Sequence, residues 1–387
     1  TGLLSAPNAG GRLDVSNFSI DGAVMGKGDV YVGWENDSKS IVLDAGIYNS
    51  ENELSTVKGF LSQPNDTITL QIDANNLNAA FLDKKLSAFL SDLDGTGSGK
   101  VHIHGKWRSV DLEGAVALFC SAKVNANNTR YYFTGDSIKL SHGEMSFDNA
   151  RVFDRYGNRG TLSGTLNHKN MSQWTCNFNV KANEMLVYDT NDFGSLPFYG
   201  TVFATGDALI KSDGKGLLLK ANATSTPGSR FVYDANDASG AQDNSFVTFT
   251  DNSKRKKKES SVEKESAVKD LYNTMASKLT LDFMLDINES LEVKVYTNQQ
   301  TDDYISLYGN GPINAIYSDK TGFSMKGHLN LARGTFKFTI QDIFPKVFPA
   351  DKEVEIKLSQ ASAQAEILAG EAEAEYMHHW VIYRYAE

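Results

Sequence analysis

The chain has little of what several specialised protein classes require. Among its 387 residues there are only 2 cysteines and 7 prolines. Two cysteines cannot form a disulfide framework or a four-cysteine metal site. Cys120 and Cys176 are therefore expected to be separate thiols on strands. A net charge of -10 argues against nucleic acid as the main partner.

Long apolar runs are also missing from the sequence. No stretch approaches the ~20 apolar residues that a membrane-spanning helix needs. The chain begins at Thr1, and any targeting or anchoring segment is expected to lie outside it. Hydrophobic residues make up 41% and charged residues 22%, which excludes a disordered or membrane-embedded chain by composition. The 32 glycines, with many Asn, Asp, Ser and Thr residues, favour short strands joined by polar turns.

Apolar and polar residues alternate along most of the chain. In the stretch 198–210 every even position is apolar or glycine, whereas the odd positions are mixed and partly polar. The same alternation recurs in 67–73, 279–287 and 353–358. A period of two predicts strands with one face turned away from water.

A loose repeat of glycine, any residue, apolar, any residue, apolar overlies this alternation. It begins at Gly28, Gly99, Gly200, Gly327 and Gly334. Its spacing is not fixed, so it does not match a strict solenoid. Strands of ordinary length would give roughly 25–30 strands, and a sheet that long must twist and curl. The sequence therefore predicts an all-β fold whose long curled sheet forms a U-shaped hydrophobic groove.

The residues predicted to line this groove are the apolar positions of the alternating stretches. They are Ile68, Leu70, Ile72, Val101, Ile103, Phe198, Val202, Ala204, Leu281, Phe283, Leu285, Ile287, Phe336 and Phe338. Acyl chains fit such a groove, because each CH₂ moved out of water gains about 0.8 kcal/mol. A groove closed by its own side chains is the alternative.

Helical patterns are rare and mark the breaks in the β pattern. Residues 78–93 place apolar side chains on one helical face, which predicts a short helix that caps or plugs the sheet. A second helix is expected within 260–275. The charged segment 251–270 is expected to be a linker between β-groove regions at 1–250 and 271–348, and 349–387 is an atypical tail rich in Ala and Glu.

No catalytic or nucleotide-binding motif stands out in the sequence. The stretch SDLDGTGSGK at 91–100 lacks the Walker A spacing and the Glu that completes a calcium loop, so it is interpreted as a helix end and a turn before a strand. Asp148, Asp154, Asp189 and Asp192 have no adjacent nucleophile, and turn or strand-end roles are expected for them. The sequence thus predicts a protein that is not an enzyme and needs no cofactor.

The histidines give a weak metal signal. His102 and His104 share one face of a predicted strand, but spacing indicates no third or fourth ligand. They are expected to face water, on the other face of the strand from Val101 and Ile103. His378 and His379 would point to opposite sides of a strand, so no metal site is predicted there either.

Four segments carry a family likeness. The sequence from Gly194 to Phe231, GSLPFYGTVFATGDALIKSDGKGLLLKANATSTPGSRF, resembles the central part of TamB proteins of the Bacteroidetes kind. FTGDSIKLSHGEMSFDNARVFDRYGNRGTLSGTLNHKN (133–170) and SDLDGTGSGKVHIHGKW resemble the preceding family segment, and GHLNLARGTFKFTIQDIFPKVF (327–348) resembles the C-terminal domain. After Phe348 the sequence departs from the family pattern.

The resemblance implies both a fold and a function. TamB proteins are AsmA-like inner-membrane components of the translocation and assembly module, and the implied fold is the U-shaped sheet called a β-taco. The implied function is phospholipid transport between the two membranes, assistance to outer-membrane protein assembly, or both. The implied location is the periplasm of a Gram-negative bacterium, with an N-terminal anchor helix outside this fragment. An Omp85-type outer-membrane barrel is the implied partner of the C-terminal region. A structural β-solenoid or surface adhesin with a closed core is the alternative, and a carbohydrate-active enzyme would need a carboxylate pair that the sequence does not name.

Overall fold

A computed structural model describes most of the chain as strands. The described residues are 9–87, 89–107, 109–169, 172–194, 196–234, 279–318, 322–340, 344–350, 354–358 and 365–369. They form a large sheet of 21 strands and one short helical segment, which confirms the all-β fold class. The predicted linker at 251–270, the predicted second helix within 260–275, and His378 and His379 lie outside the described residues.

The strands of the first half are β1 to β11. Their bounds are Ala9–Ile20, Ala23–Glu35, Ser40–Tyr48, Leu54–Ser62, Thr67–Asn78, Leu90–Lys106, Ser109–Val124, Thr129–Ser141, Glu144–Asp154, Arg159–Lys169 and Ser172–Thr190.

The strands of the second half are β12 to β21. Their bounds are Phe198–Ser212, Leu217–Ser225, Arg230–Asp234, Leu279–Ile287, Glu292–Asn298, Asp303–Ser318, Gly322–Ile340, Phe344–Ala350, Val354–Leu358 and Ala365–Ala369. β6, β11 and β18 have 17, 19 and 19 residues, well above the ordinary strand length assumed in predicting roughly 25–30 strands.

The fold divides into two compact units. The first, here called the N-terminal unit, comprises residues 1–181 and 209–214; the second, the C-terminal unit, comprises 182–208 and 215–387. In the N-terminal unit, β1 to β10 form a meander in which each strand pairs antiparallel with the next along the chain. Short turns connect most of these strands, and a short helical segment lies between β5 and β6.

Several strands of the meander change direction at a bulge. The register shifts between Ala74 and Leu77 in β5, and between Ser91 and Asp94 in β6. Asn76 and Asp92 lie in these gaps with φ of 47° and 54°, a left-handed conformation that Asn and Asp tolerate better than most residues. A bulge bends its strand and increases its twist, so each of these sites is a corner of the sheet.

Side-chain hydroxyl groups accept hydrogen bonds from backbone N–H groups that have no partner on a neighbouring strand. The N–H of Asn76 donates to Ser98 Oγ at 2.9 Å, and that of Asn149 donates to Ser163 Oγ at 3.1 Å. Four more pairs follow the same pattern in the two units. We call all six hydroxyl residues the corner hydroxyls: Ser55, Ser98, Ser163, Thr205, Ser225 and Ser229.

In the C-terminal unit, two short strands lie end to end along one long strand. β15 and β16 both pair antiparallel with β17, and β19 and β20 both pair with β18. β13 and β14 run parallel to β15 and β16. The break between the two short strands therefore lies beside the middle of the long strand.

The predicted helix is shorter than the sequence pattern suggested. The helical segment is a 3₁₀ turn at Ala79–Leu82 followed by an α-turn at Asp83–Leu86, and we call it the short helix. Asn78 caps it by accepting a hydrogen bond from the Ala80 N–H at 2.9 Å. The prediction of a helix over 78–93 was wrong beyond residue 86, because Leu90 and Ser91 pair with β7 and sheet pairing overrides a local helical pattern. The stretch 91–100 is likewise part of β6 and not a helix end.

Three glycines of the repeat, Gly99, Gly200 and Gly327, lie where two backbones approach closely. A Cβ on Gly99 would stand 2.1 Å from the Ala115 carbonyl oxygen, and one on Gly200 would stand 2.1 Å from that of Arg230. No side chain fits at such a distance. The repeat therefore marks tight strand contacts, and its two apolar positions follow on one face.

Candidate functional site

The predicted lining residues of β5 and β6 lie side by side. Leu70 is directly opposite Ile103, and Ile72 is directly opposite Val101. Directly paired residues of antiparallel strands share a face of the sheet. The structure therefore brings these four residues together, with Ile68 on the same face of β5.

This apolar face extends over neighbouring strands. Consecutive pairings connect residues of β2 to β7 into three rows, which we call the apolar face. The rows are Trp34, Ile41, Leu61, Ile68, Gly105 and Val110; Val32, Leu43, Gly59, Leu70, Ile103 and Leu112; and Val30, Ala45, Val57, Ile72, Val101 and Gly114. β1 continues the last row with Leu13 opposite Val30.

Much of the apolar face remains accessible to solvent. Leu13 is 62% exposed, Val32 is 45% exposed and Ile41 is 39% exposed. Leu70, Ile72, Val101 and Ile103 are half-buried. At ~4.8 Å between strands and ~6.7 Å between rows, the face measures roughly 24 by 13 Å. An apolar patch of about 300 Å² is of the size that often has a function on a soluble protein.

The opposite face of the same strands carries charged pairs, together with the exposed rings of Tyr31 and Phe60. Lys58 lies 3.4 Å from Asp44, and Lys100 lies 3.6 Å from Asp73, each pair across neighbouring strands. Arg12 and Asp29 form a further pair at 3.1 Å. Exposed pairs of this kind add little stability, but they show which face is suited to water.

The short helix covers one end of the apolar face. Met25, Ala23 and Ile47 form a buried cluster, and Phe81 of the helix packs against it together with Val57 and others. Met25 is only 2% exposed. The prediction that a short helix caps the sheet is met by this contact. Away from the helix, Val32 and Ile41 remain exposed, whereas Ile68 in the row of Ile41 is buried.

The predicted lining residues of the C-terminal unit are packed more tightly. Phe198 and Leu281 belong to one buried cluster with Tyr233 and Leu279, and Phe283 packs against it. Ile287 belongs to a second cluster with Val293 and others, against which Phe283 and Leu285 pack. Phe198, Leu281 and Ile287 are 6%, 7% and 5% exposed. In this unit the apolar side chains already contact one another.

The remaining predicted lining residues lie on β12 and β18. Val202 is half-buried and Ala204 is buried on the same side of β12 as Phe198. Phe336 is half-buried and lies opposite Ile305 on β17. The backbone of Phe338 lies in β18, opposite Lys346. Whether lipid contacts any of the lining residues stays a prediction.

Sequence reasoning missed several members of the apolar face. Val30 and Val32 follow Gly28 in the repeat, and Val110 and Leu112 alternate with Ser109 and Asp111. The signal was therefore the same alternation. Only the register shows that these residues continue the rows of Leu70 and Ile72.

The two cysteines lie in buried surroundings. Cys120 and Cys176 are free and buried, as expected of separate strand thiols, and burial raises the pKa of Cys120 to about 11. A thiol with so high a pKa is a poor nucleophile near neutral pH.

Asp154 accepts hydrogen bonds from the N–H groups of Tyr156 and Asn158 at 2.8 and 2.9 Å, which is the predicted turn role.

Comparison with known proteins identifies a family. The family model of the TamB C-terminal domain matches residues 148–362, more than half of the 387-residue chain. No curated protein and no solved structure matches the sequence. Among the described residues, no helix is long and apolar enough to cross a membrane.

Proposed function

The chain belongs to the TamB family, a family with a role in outer-membrane assembly, and from this membership we propose that its apolar face binds phospholipid acyl chains. The protein then acts without catalysis, by shielding acyl chains as phospholipid moves between the inner and the outer membrane. Assistance to outer-membrane protein assembly is compatible with the same surface, because nascent strands also expose apolar side chains.

The observation that supports this proposal is the apolar face, which extends over six neighbouring strands and includes the exposed residues Val32 and Ile41. Its extent of roughly 24 Å across six strands exceeds the ~15 Å that the acyl chains of one leaflet occupy. A dozen CH₂ groups moved from water onto this face would gain on the order of 10 kcal/mol. Because apolar residues recur from strand to strand in each row, this gain does not depend on one position, and a bound chain is free to move.

The proposed setting follows the family. We place the protein in the periplasm, held at the inner membrane by a helix outside the present sequence. An Omp85-type outer-membrane barrel is the proposed partner of the C-terminal region. The charged opposite face, with its pairs such as Lys58 and Asp44, suits the aqueous space between the membranes.

A structural β-solenoid or adhesin with a closed core is the second candidate. The two buried clusters of the C-terminal unit support it, because there the side chains of β12 and β14 contact those of β15. The exposed apolar residues Leu13, Val32 and Ile41 favour the lipid-binding function, since a closed solenoid would bury them.

A charge placed on the apolar face tests the proposal. Leu70→Arg places a cation among the rows, whereas Gln71→Arg places it on the opposite face of the same strand. With delipidated protein and a fluorescent phosphatidylethanolamine, we expect Leu70→Arg to bind at least tenfold more weakly than the parent and Gln71→Arg to bind like the parent. Unfolding midpoints of both variants establish that they fold.

Two results would refute lipid binding at this face. One is equal binding by the parent and a folded Leu70→Arg variant. The other is equal weakening by both variants, since this would reflect charge in general and not the apolar face.

A further inference from the structure

Two histidines and one glutamate converge on the charged face of β6 and β7. His102 and His104 are two residues apart on β6, and their ring centroids are 5.1 Å apart. Glu113 is the β7 residue directly opposite His102. One ligand atom from each of the three residues lies within 4.8 Å of the other two. The chain thus assembles from two strands a group that sequence spacing alone did not indicate.

A third histidine reaches the same carboxylate from the turn between β8 and β9. His142 Nε2 lies 3.6 Å from Glu113 Oε1, and His104 Nε2 lies 3.4 Å from that same oxygen. Ser141 Oγ is 2.7 Å from His142 Nδ1, so the ring nitrogen that faces away from Glu113 has its own partner. Metal-bound histidines commonly use the second nitrogen in this way.

The turn that carries His142 is fixed next to β7. The Gly143 N–H donates to Asp111 Oδ1 at 2.9 Å, and Asp111 is two residues before Glu113. His142 itself adopts φ of 50°, a left-handed conformation in which His, like Asn and Asp, is found more often than most residues. The β8–β9 turn and its hydrogen bond to Asp111 therefore hold this imidazole beside Glu113.

From this geometry we infer that His102, His104 and Glu113 form a binding site for a divalent zinc ion, with His142, which lies beside Glu113, as the fourth ligand. Zinc accepts imidazole nitrogen and carboxylate oxygen as ligands at ~2.0–2.2 Å. Two ligands of a tetrahedral ion at that radius are roughly 3.3–3.5 Å apart. The separations of 3.4 and 3.6 Å between Glu113 Oε1 and the two Nε2 atoms have this magnitude. Four protein ligands would make the site structural and not catalytic.

Simple ion pairing explains the group less well. Exposed pairs contribute little, and the side chain of His142 is 78% exposed. The imidazole nitrogens and the carboxylate oxygen instead offer lone pairs that one cation satisfies together. Bound zinc would tie β6, β7 and the β8–β9 turn together behind the apolar face.

Zinc titration of the full chain, with any histidine tag removed, tests the site. A chromogenic chelator as competitor gives the affinity, and Co²⁺ absorption reports the coordination geometry. We expect one Zn²⁺ per chain, a tetrahedral Co²⁺ spectrum, and at least tenfold weaker zinc binding in Glu113→Gln and in His104→Ala. His168→Gln, a change in a histidine of β10, should bind zinc like the parent.

The fold of each variant is checked without metal by its unfolding midpoint, and zinc should raise the midpoint of the parent more than that of Glu113→Gln. The inference is overturned if the parent binds no zinc at micromolar concentration. It is equally overturned if folded Glu113→Gln and His104→Ala bind zinc as tightly as the parent, or if His168→Gln loses binding to the same extent. Lipid binding plays no part in these readouts.

Discussion

At the scale of single residues, hydroxyl groups decide whether the sheet can turn its corners. A bulge leaves backbone groups without a ladder partner, and a buried polar group without a partner costs about 1–3 kcal/mol. Ser55 is 2% exposed; it accepts from the Asn75 N–H at 2.9 Å and donates to the Asn75 carbonyl at 3.2 Å. Asn76 adds bonds from its side chain to Glu53 and from its N–H to Ser98.

We therefore expect Ser55→Ala to lower the free energy of unfolding by about 1–3 kcal/mol, because both Asn75 groups lose their partner. Ser137→Ala is the matched control, since Ser137 is exposed and its loss should change the free energy by less than ~0.5 kcal/mol. Urea unfolding followed by circular dichroism measures both. Equal stability of Ser55→Ala and the parent would contradict the role of the corner hydroxyls.

The sequence predicted some of these residues and not others. The apolar alternation placed Leu70 and Ile103 on inward faces because a strand has a period of two. It did not predict that Ser98 bonds to Asn76, or that Glu113 and His142 join His104. These contacts depend on the register between strands, which a single sequence pattern does not contain.

At the scale of elements, the glycine repeat controls how closely two strands approach. Gly99 faces the Ala115 carbonyl at a distance that excludes a Cβ. The two apolar residues that follow Gly99, Val101 and Ile103, pair with Gly114 and Leu112 of β7. The sequence pattern indicated a turn followed by a strand. The structure shows why glycine is needed at Gly99, because the two strands approach too closely there for a Cβ.

Gly99→Ala should accordingly destabilise the protein by roughly 1–3 kcal/mol or more, because the added Cβ forces β6 and β7 apart. Gly11→Ala provides the control, since no atom lies within 4 Å of a Cβ built there, and a change below ~0.5 kcal/mol is expected. The two unfolding midpoints measured in parallel decide the matter. A Gly99→Ala midpoint equal to that of Gly11→Ala would be incompatible with the steric account.

Helix length was the least predictable element property. The pattern of Phe81, Leu82 and Leu86 correctly indicated a helical turn, and its cap Asn78 was part of the predicted range. Its end was wrong because Leu90 to Asp94 fit either a helical face or a strand. Pairing with β7 resolves that ambiguity, and only the folded sheet supplies it.

At the scale of the whole molecule, the two units treat their apolar faces differently. In the N-terminal unit some residues of the rows, such as Val32 and Ile41, remain exposed, and the short helix covers one end. In the C-terminal unit Phe198, Leu281 and Ile287 are buried among their neighbours. The all-β fold was predictable from alternation, but this difference was not, because both units share the same sequence pattern. Lipid binding is therefore expected first at the N-terminal unit.

Site-specific photo-crosslinking tests this central claim most directly. A photoreactive phenylalanine analogue is placed at Leu70, at Gln71 or at Phe283 of the protein in a Gram-negative envelope, and adducts are identified by mass spectrometry. Acyl-chain binding to the apolar face predicts phospholipid adducts at position 70, none at position 71 on the charged face, and fewer at position 283, which packs against protein. Equal adducts at 70 and 71, or no phospholipid at position 70, would contradict it.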